Sequence, residues 1–172
     1  GIAVGFAGRA LAARRLELWQ ELIDEVYGAK VRTTTDLDDQ VGWWIKIADV
    51  FEQKKDDPAQ ALEAMLRAFG LTPENKDLLE RVDRLAVAVG NWQRLSTVSG
   101  VLVKRAADDE EKMELLLRYA GVLKEQPSQI SQAFDVALKA FELDPQSEEL
   151  LEMVEEVGAN AGRWDDMVRV YS

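Results

Sequence analysis

Thirty-two aspartates and glutamates stand in this chain of 172 residues beside no histidine and no cysteine. Disulfides and thiolate chemistry are therefore excluded, and so are the commonest general base and the commonest metal ligand. Serines such as Ser96, Ser99 and Ser131 have no imidazole to activate them. Paired carboxylates alone can hydrolyse glycosides, but among so many acids no pair is distinguished. Asp36-Leu-Asp38-Asp39 begins like a calcium loop. It then puts Val41 where such a loop needs glycine and Ile47 where it needs glutamate. Acids that favour a helix N-terminus explain it better, and explain Asp108-Asp-Glu-Glu111 as well. Gly1, Gly5 and Gly8 lack dinucleotide spacing, and no phosphate-cradling motif occurs. These residues read as a non-enzyme with no cofactor and no metal.

The net charge of −11 repels phosphate backbones and anionic lipid, so nucleic acid is not an expected partner, and basic segments of proteins are. Hydrophobic residues make up 47%, enough for a core and too many for intrinsic disorder. The apolar run over 1–8 is too short to span a bilayer. Its basic residues, Arg9, Arg14 and Arg15, follow it, the wrong order for a signal peptide. No membrane insertion and a cytoplasmic setting are expected.

What must position any binding residues is a repeat. Shifting the sequence by 72 places Ala48 on Ala120, Ala61 on Ala133, Ala68-Phe69 on Ala140-Phe141, and Pro73 on Pro145. Leu78-Leu-Glu80 falls on Leu150-Leu-Glu152, and Gly90 and Trp92 fall on Gly162 and Trp164, all without a gap. Upstream, Trp19-Gln-Glu-Leu22 resembles Trp92-Gln-Arg-Leu95, one residue out of step. The chain thus divides into a partial copy over 1–40, a copy over 41–112 and a copy over 113–172. It starts and stops inside the unit and reads as a single array, a fragment of a longer protein or one that ends against a partner.

Each copy reads as four helices. Asp108 is an N-cap and Glu111 completes a capping box. Leu115, Leu116, Tyr119, Val122 and Leu123 recur at helical spacing. Asp57-Pro58, Thr72-Pro73, Pro127-Ser128 and Asp144-Pro145 are expected to open helices, and Gly70, Gly90 and Gly162 to close them. Short connections imply antiparallel neighbours, and no alternating strand pattern appears.

Ala61, Met65, Ala68 and Pro73, repeated as Ala133, Ala137, Ala140 and Pro145, resemble the second helix of a tetratricopeptide repeat. Phe69-Gly-Leu-Thr-Pro73 and Phe141-Glu-Leu-Asp-Pro145 are close to the usual ending of that helix. The intervening half-copies, opened by Trp92 and Trp164, lack the alanine-proline series. This alternation resembles long repeat proteins of predatory and gliding bacteria. The family resemblance implies an all-α fold, a right-handed superhelix of antiparallel helix pairs with about eight or nine helices. It also implies that the first helix of each pair lines a concave face. The outward residues are then Trp43, Lys46, Val50 and Lys54, followed by Asp77, Glu80 and Arg84, by Arg118, Val122 and Glu125, and by Glu149, Glu152 and Glu156.

One reading of that face is a groove for a peptide or helix of a partner protein, basic at one end and acidic at the other. The other is a solvated surface without a ligand. The carboxylate clamp of some relatives is not assembled here; Lys46, Arg84 and Arg118 are a loose substitute. Adjacent Trp43 and Trp44 point about 100° apart, so either one indole is exposed as an interface anchor or, as expected, the helix is covered on two sides. Trp92 and Trp164 are expected to be core wedges. The function implied is a non-catalytic protein-interaction scaffold. The alternative is a structural spacer or self-assembling array joined end to end.

Overall fold

The computed structural model describes residues 2–172 and, apart from Ile2, Ala3, Val4 and Phe6, their side chains; Gly1 lies outside the described residues. Those residues form helices and contain no strand. In order these are α1 (Ile2–Glu21), α2 (Gly28–Thr33), α3 (Leu37–Gln53), α4 (Pro58–Leu71), α5 (Lys76–Val89), α6 (Trp92–Arg105), α7 (Asp109–Lys124), α8 (Ile130–Leu143), α9 (Glu148–Asn160) and α10 (Trp164–Val170). None of them is long and apolar enough to cross a membrane. Two compact units emerge, the first ending at Leu95 and the second beginning at Ser96. Within each, helices pack on their neighbours in chain order: α3 on α4 and α4 on α5 in the first, α7 on α8, α8 on α9 and α9 on α10 in the second.

The 72-residue period holds at the level of helix ends. Helices α3 and α7 start 72 residues apart, as do α5 and α9, and α6 and α10. Helices α4 and α8 share both boundaries at that spacing. The upstream copy is out of step by one residue because α1 and α2 are joined by a π-helical turn over Leu22–Tyr27, in which the Gly28 N–H reaches back to the Ile23 carbonyl. A π turn absorbs one inserted residue without ending a helix. The stretch from Trp19 to Thr33 therefore stands in the place of α6 with one residue added.

Helix starts follow side-chain caps. The Asp36 and Asp108 carboxylates accept from the N–H groups of Asp39 and Glu111 at 3.0 and 2.9 Å. The Glu111 carboxylate turns back to the Ala107 N–H at 2.6 Å, one residue before the cap. Asp57 caps α4 through the Gln60 N–H, with Pro58 in the first turn. Two expected starts are corrected. Thr72-Pro73 and Asp144-Pro145 do not open helices; they form β-turns in which the Thr72 and Asp144 carbonyls accept from the N–H groups of Asn75 and Ser147. Proline suits the second position of such a turn. Asn75 and Ser147 are the caps, accepting from Asp77 and Leu78 and from Leu150 respectively. Pro127-Ser128 lies in a 3-10 turn, and Gln129, which replaces Asp57, makes no side-chain cap for α8.

After α5 and α9 the backbone turns left-handed at Gly90 (φ 73°) and Gly162 (φ 68°), conformations that glycine adopts without a Cβ penalty. The following N–H groups, of Asn91 and Arg163, close back on the Ala86 and Gly158 carbonyls.

Each unit has its own core. Ala48, Ala61, Met65, Ala68, Val82 and Ala86 are fully buried in the first, and Ala120, Leu123, Ala133, Phe134, Ala137, Ala140 and Val157 in the second. The alanines allow helix axes to approach closely. Trp164 departs from expectation: it is 60% exposed, whereas Trp92 is half-buried. Helix α10 rests on α9 through Met167, which fills the space over Gly158, and leaves the indole outside that contact.

Candidate interaction faces

In the first unit α3 and α5 lie side by side, joined by ion pairs. Arg81 meets Asp49 at 2.5 Å and Glu52 at 3.0 Å, and Arg84 meets Glu52 at 2.6 Å. In the second unit α7 and α9 are joined by Lys124 and Glu156 at 3.3 Å. Lys124 falls on Glu52 and Glu156 on Arg84 in the 72-residue register, so the bridge is kept with its polarity reversed. The first helices of successive pairs thus adjoin within each unit. A second kind of link repeats as well: Glu63 of α4 pairs with Arg94 of α6, and Asp135 of α8 pairs with Arg163 just before α10.

On the α3/α5 face the surroundings of Glu52 favour its charged form. The Arg84 hydrogen bond, helped by Arg81, outweighs desolvation and holds its carboxyl below the usual glutamate range. A depressed carboxyl stabilises the fold above the range in which the unfolded chain titrates, and that contribution is lost as pH falls through the folded value. Glu52→Gln is expected to cost about 1 kcal/mol at neutral pH, as for a partly buried pair. The gap to the wild type should narrow on acidification, and urea midpoints at neutral and acidic pH would measure it; a gap independent of pH would show the pair to be inert.

The predicted outward residues divide into three groups. Lys46, Lys54, Asp77, Glu80, Arg84, Glu125, Glu149, Glu152 and Glu156 are exposed, and Trp43, Arg118 and Val122 are half-buried. Val50 is buried, at 7% exposure, and leaves the face. Helix α3 is covered by α4 on one side and by the π turn and α2 on another, which narrows its outward strip. That same cover resolves the tryptophan pair. Trp43 stacks on Tyr27 with ring centroids 5.7 Å apart, and Trp44 lines a cavity of about 370 Å³ with Ile23, Gly28 and Phe51. Both indoles meet the preceding helical segment.

The two cations of the loose set that lie in the first unit are both engaged. Lys46 lies over the Trp43 ring at 4.4 Å, and Arg84 is held by Glu52. Lys54 lies over Trp19 at 5.6 Å, beside an apolar groove of about 840 Å³ lined by Ala12, Leu16, Leu18, Trp19 and Leu22. Sequence reasoning missed this groove, although Ala12, Leu16 and Trp19 sit at the 4- and 3-residue steps of a helix face. Glu52 was missed too; its signal was the charge reversal between Glu52 and Lys124, matched by Arg84 and Glu156. Asp36 and Asp108, read from the sequence as acids at helix N-termini, cap α3 and α7.

No protein-family model matches the chain, and none of the curated proteins is similar to it at a significant level.

Proposed function

We propose that this chain is a non-catalytic interaction scaffold whose paired helix faces dock a peptide or helix of a partner protein. The observation that carries the reading is the side-by-side placement of α7 and α9, whose outer surface is acidic. Helix α9 holds Glu148, Glu149, Glu152, Glu155 and Glu156 and no cation. Lys124 neutralises only Glu156, and Glu149 and Glu152 stand exposed with Glu125. Such a face selects a basic segment, with the charges steering encounter and fixing register.

Selection from a displayed peptide library on the folded chain tests this. Enriched peptides should carry Lys or Arg at helical spacing, and their binding should weaken with salt. Glu149→Lys combined with Glu152→Lys is expected to weaken them by about tenfold or more. A library that yields no enrichment, or peptides indifferent to both substitutions and to salt, overturns the reading.

A further inference from the structure

The cavity beside Trp44 lies between the π turn and α2 on one side and α4 on the other, over α3. All of these elements belong to the first unit. Its floor is apolar: Ile23, Ile47, Phe51 and Ala64 are buried, and Trp44 is half-buried. Four charged side chains line its rim, Asp24, Arg32, Glu63 and Arg67. Glu63 is held by Arg94 at 3.0 Å, and Asp24 accepts from Gln20 at 2.8 Å. Arg32 and Arg67 are exposed and make no ion pair among the described residues. With Arg94 counted, three cations meet two carboxylates, which leaves one positive charge in excess within a chain of net charge −11.

The repeat shows which features set this cavity apart. Past the π turn the 72-residue register places Gly28 on Gly100 and Arg32 on Lys104. It places Trp44 on Leu116, Ile47 on Tyr119 and Arg67 on Lys139. In the second unit the Tyr119 phenol reaches from α7 to the Ser96 hydroxyl of α6. The shorter Ile47 leaves that space open, and the Trp44 indole gives it a flat wall. Both lysines have become arginines, whose planar forks match a carboxylate where an ammonium is only a point charge. Gly28 makes room for one of them. A Cβ there would stand 3.3 Å from Arg32 Nη1 and 3.1 Å from the Ile23 carbonyl oxygen, whereas a Cβ at Gly100 would meet nothing within 4 Å. The inserted π turn forms one wall, and such turns recur at functional sites. A volume of about 370 Å³ suits a small ligand. One excess charge matches a carboxylate better than a phosphate monoester, which carries nearly two.

We infer that this cavity binds a small organic acid, a single carboxylate on an apolar or aromatic body. The body lies against Trp44, and the carboxylate meets Arg32 and Arg67. The cavity shares no residue with the α7/α9 peptide face and stands or falls separately from it.

Titration with phenylbutyrate tests the inference, followed by calorimetry and by the tryptophan indole N–H signals in proton–nitrogen correlation spectra. Each signal is assigned by a Trp→Phe substitution. The acid is expected to bind with a Kd of about 1 mM or below and to move the Trp44 signal. Phenylbutyramide, neutral and of the same shape, should bind at least about tenfold more weakly. Arg32→Gln with Arg67→Gln should weaken the acid by about tenfold or more as well. Both arginines are exposed, and urea midpoints confirm that the variant folds. An acetylated phenylalanyl-glutamate amide presents the same groups from a peptide and is expected to bind no better than the free acid. No binding of the acid, an amide or a double variant that binds as tightly, or shifts confined to Trp19 in the other groove would overturn the proposal. Capture of the peptide alone would also overturn it, by giving the cavity to a protein segment.

Discussion

Gly158→Ala is expected to destabilise the second unit by about 1–2 kcal/mol, and to become stabilising by about 1 kcal/mol when Phe134 is changed to leucine. The reversal of sign follows from the repeat. A Cβ at Gly158 would stand 2.8 Å from the Phe134 ring and 2.7 Å from the Met167 sulfur. Met167 is unbranched and half-buried and can move aside. Phe134 is fully buried and cannot. In the first unit the same three positions are Leu62, Ala86 and Leu95, all buried to within 2%. The two copies therefore fill one site in two ways, leucine with alanine or phenylalanine with glycine. Alanine in a helix interior is worth about 1 kcal/mol over glycine, so once the ring is gone only that gain remains. The double variant also loses the Arg163 guanidinium stacked 4.7 Å over the ring, a contact worth about 0.5–1 kcal/mol at an exposed site. Urea unfolding of the four proteins gives the coupling. Additive effects would mean that the ring and the glycine do not share the site.

That example shows why a repeat is legible where a single element is not. Comparing position 62 with 134, or 52 with 124, supplies a second sequence, and the paired changes mark neighbours in space. The period placed most helix boundaries because alanines, most capping residues and the Gly90/Gly162 closures recur together; Gly70, expected to close α4, lies inside that helix, which runs on to Leu71. It misplaced the starts of α5 and α9 because proline fits a turn as well as a first helical turn. Only the later Asn75 and Ser147 decide which, by offering the side-chain oxygen. The single offset between Trp19 and Trp92 was visible as a number, but its physical form, a π turn that keeps α1 and α2 continuous, depends on backbone hydrogen bonding. Exposure was read least well. Val50 is covered by two neighbours and Trp164 is left bare by its one described neighbour. Neither outcome is written in the local spacing, because both depend on which elements pack against the helix.

The candidate face was legible in a similar, partial way. The outward side of α9 could be read from period and charge, since glutamates at helical spacing have nowhere else to go. The α3/α5 face could not, because Arg84 is held by a carboxylate of the adjacent helix and Lys46 and Lys54 lie over the Trp43 and Trp19 rings. Helix pairing turns Arg84 from a candidate ligand contact into a strut, beside Arg81, between α3 and α5. The same struts tie α3 to α5 across the first unit.

Ala61→Leu is expected to cost about 3 kcal/mol or more, while Ala59→Leu two residues away on the same helix stays within about 0.5 kcal/mol of the wild type. Both changes add the same side chain and raise apolar content equally, so a stability governed by hydrophobicity alone would treat them alike. Ala61 is fully buried and Ala59 is exposed. Successive α4 residues project about 100° apart. Ala61 shares its stripe with Met65 and Ala68, four and seven residues on, both fully buried as well. Three extra carbons at Ala61 have no void to enter, because interiors pack at crystal-like density and the neighbouring alanines mark how near the next helix comes. The helix must lift off α3, loosening the whole row of contacts and straining the Arg81 and Arg84 bridges that tie α3 to α5. Ala133→Leu in α8 should repeat the result, since Ala133 occupies the same place in the second copy and is equally buried. Thermal or urea unfolding of the three variants checks the argument. Equal, small shifts would show that the alanine stripe is spacious and that close helix approach does not set the stability of these pairs.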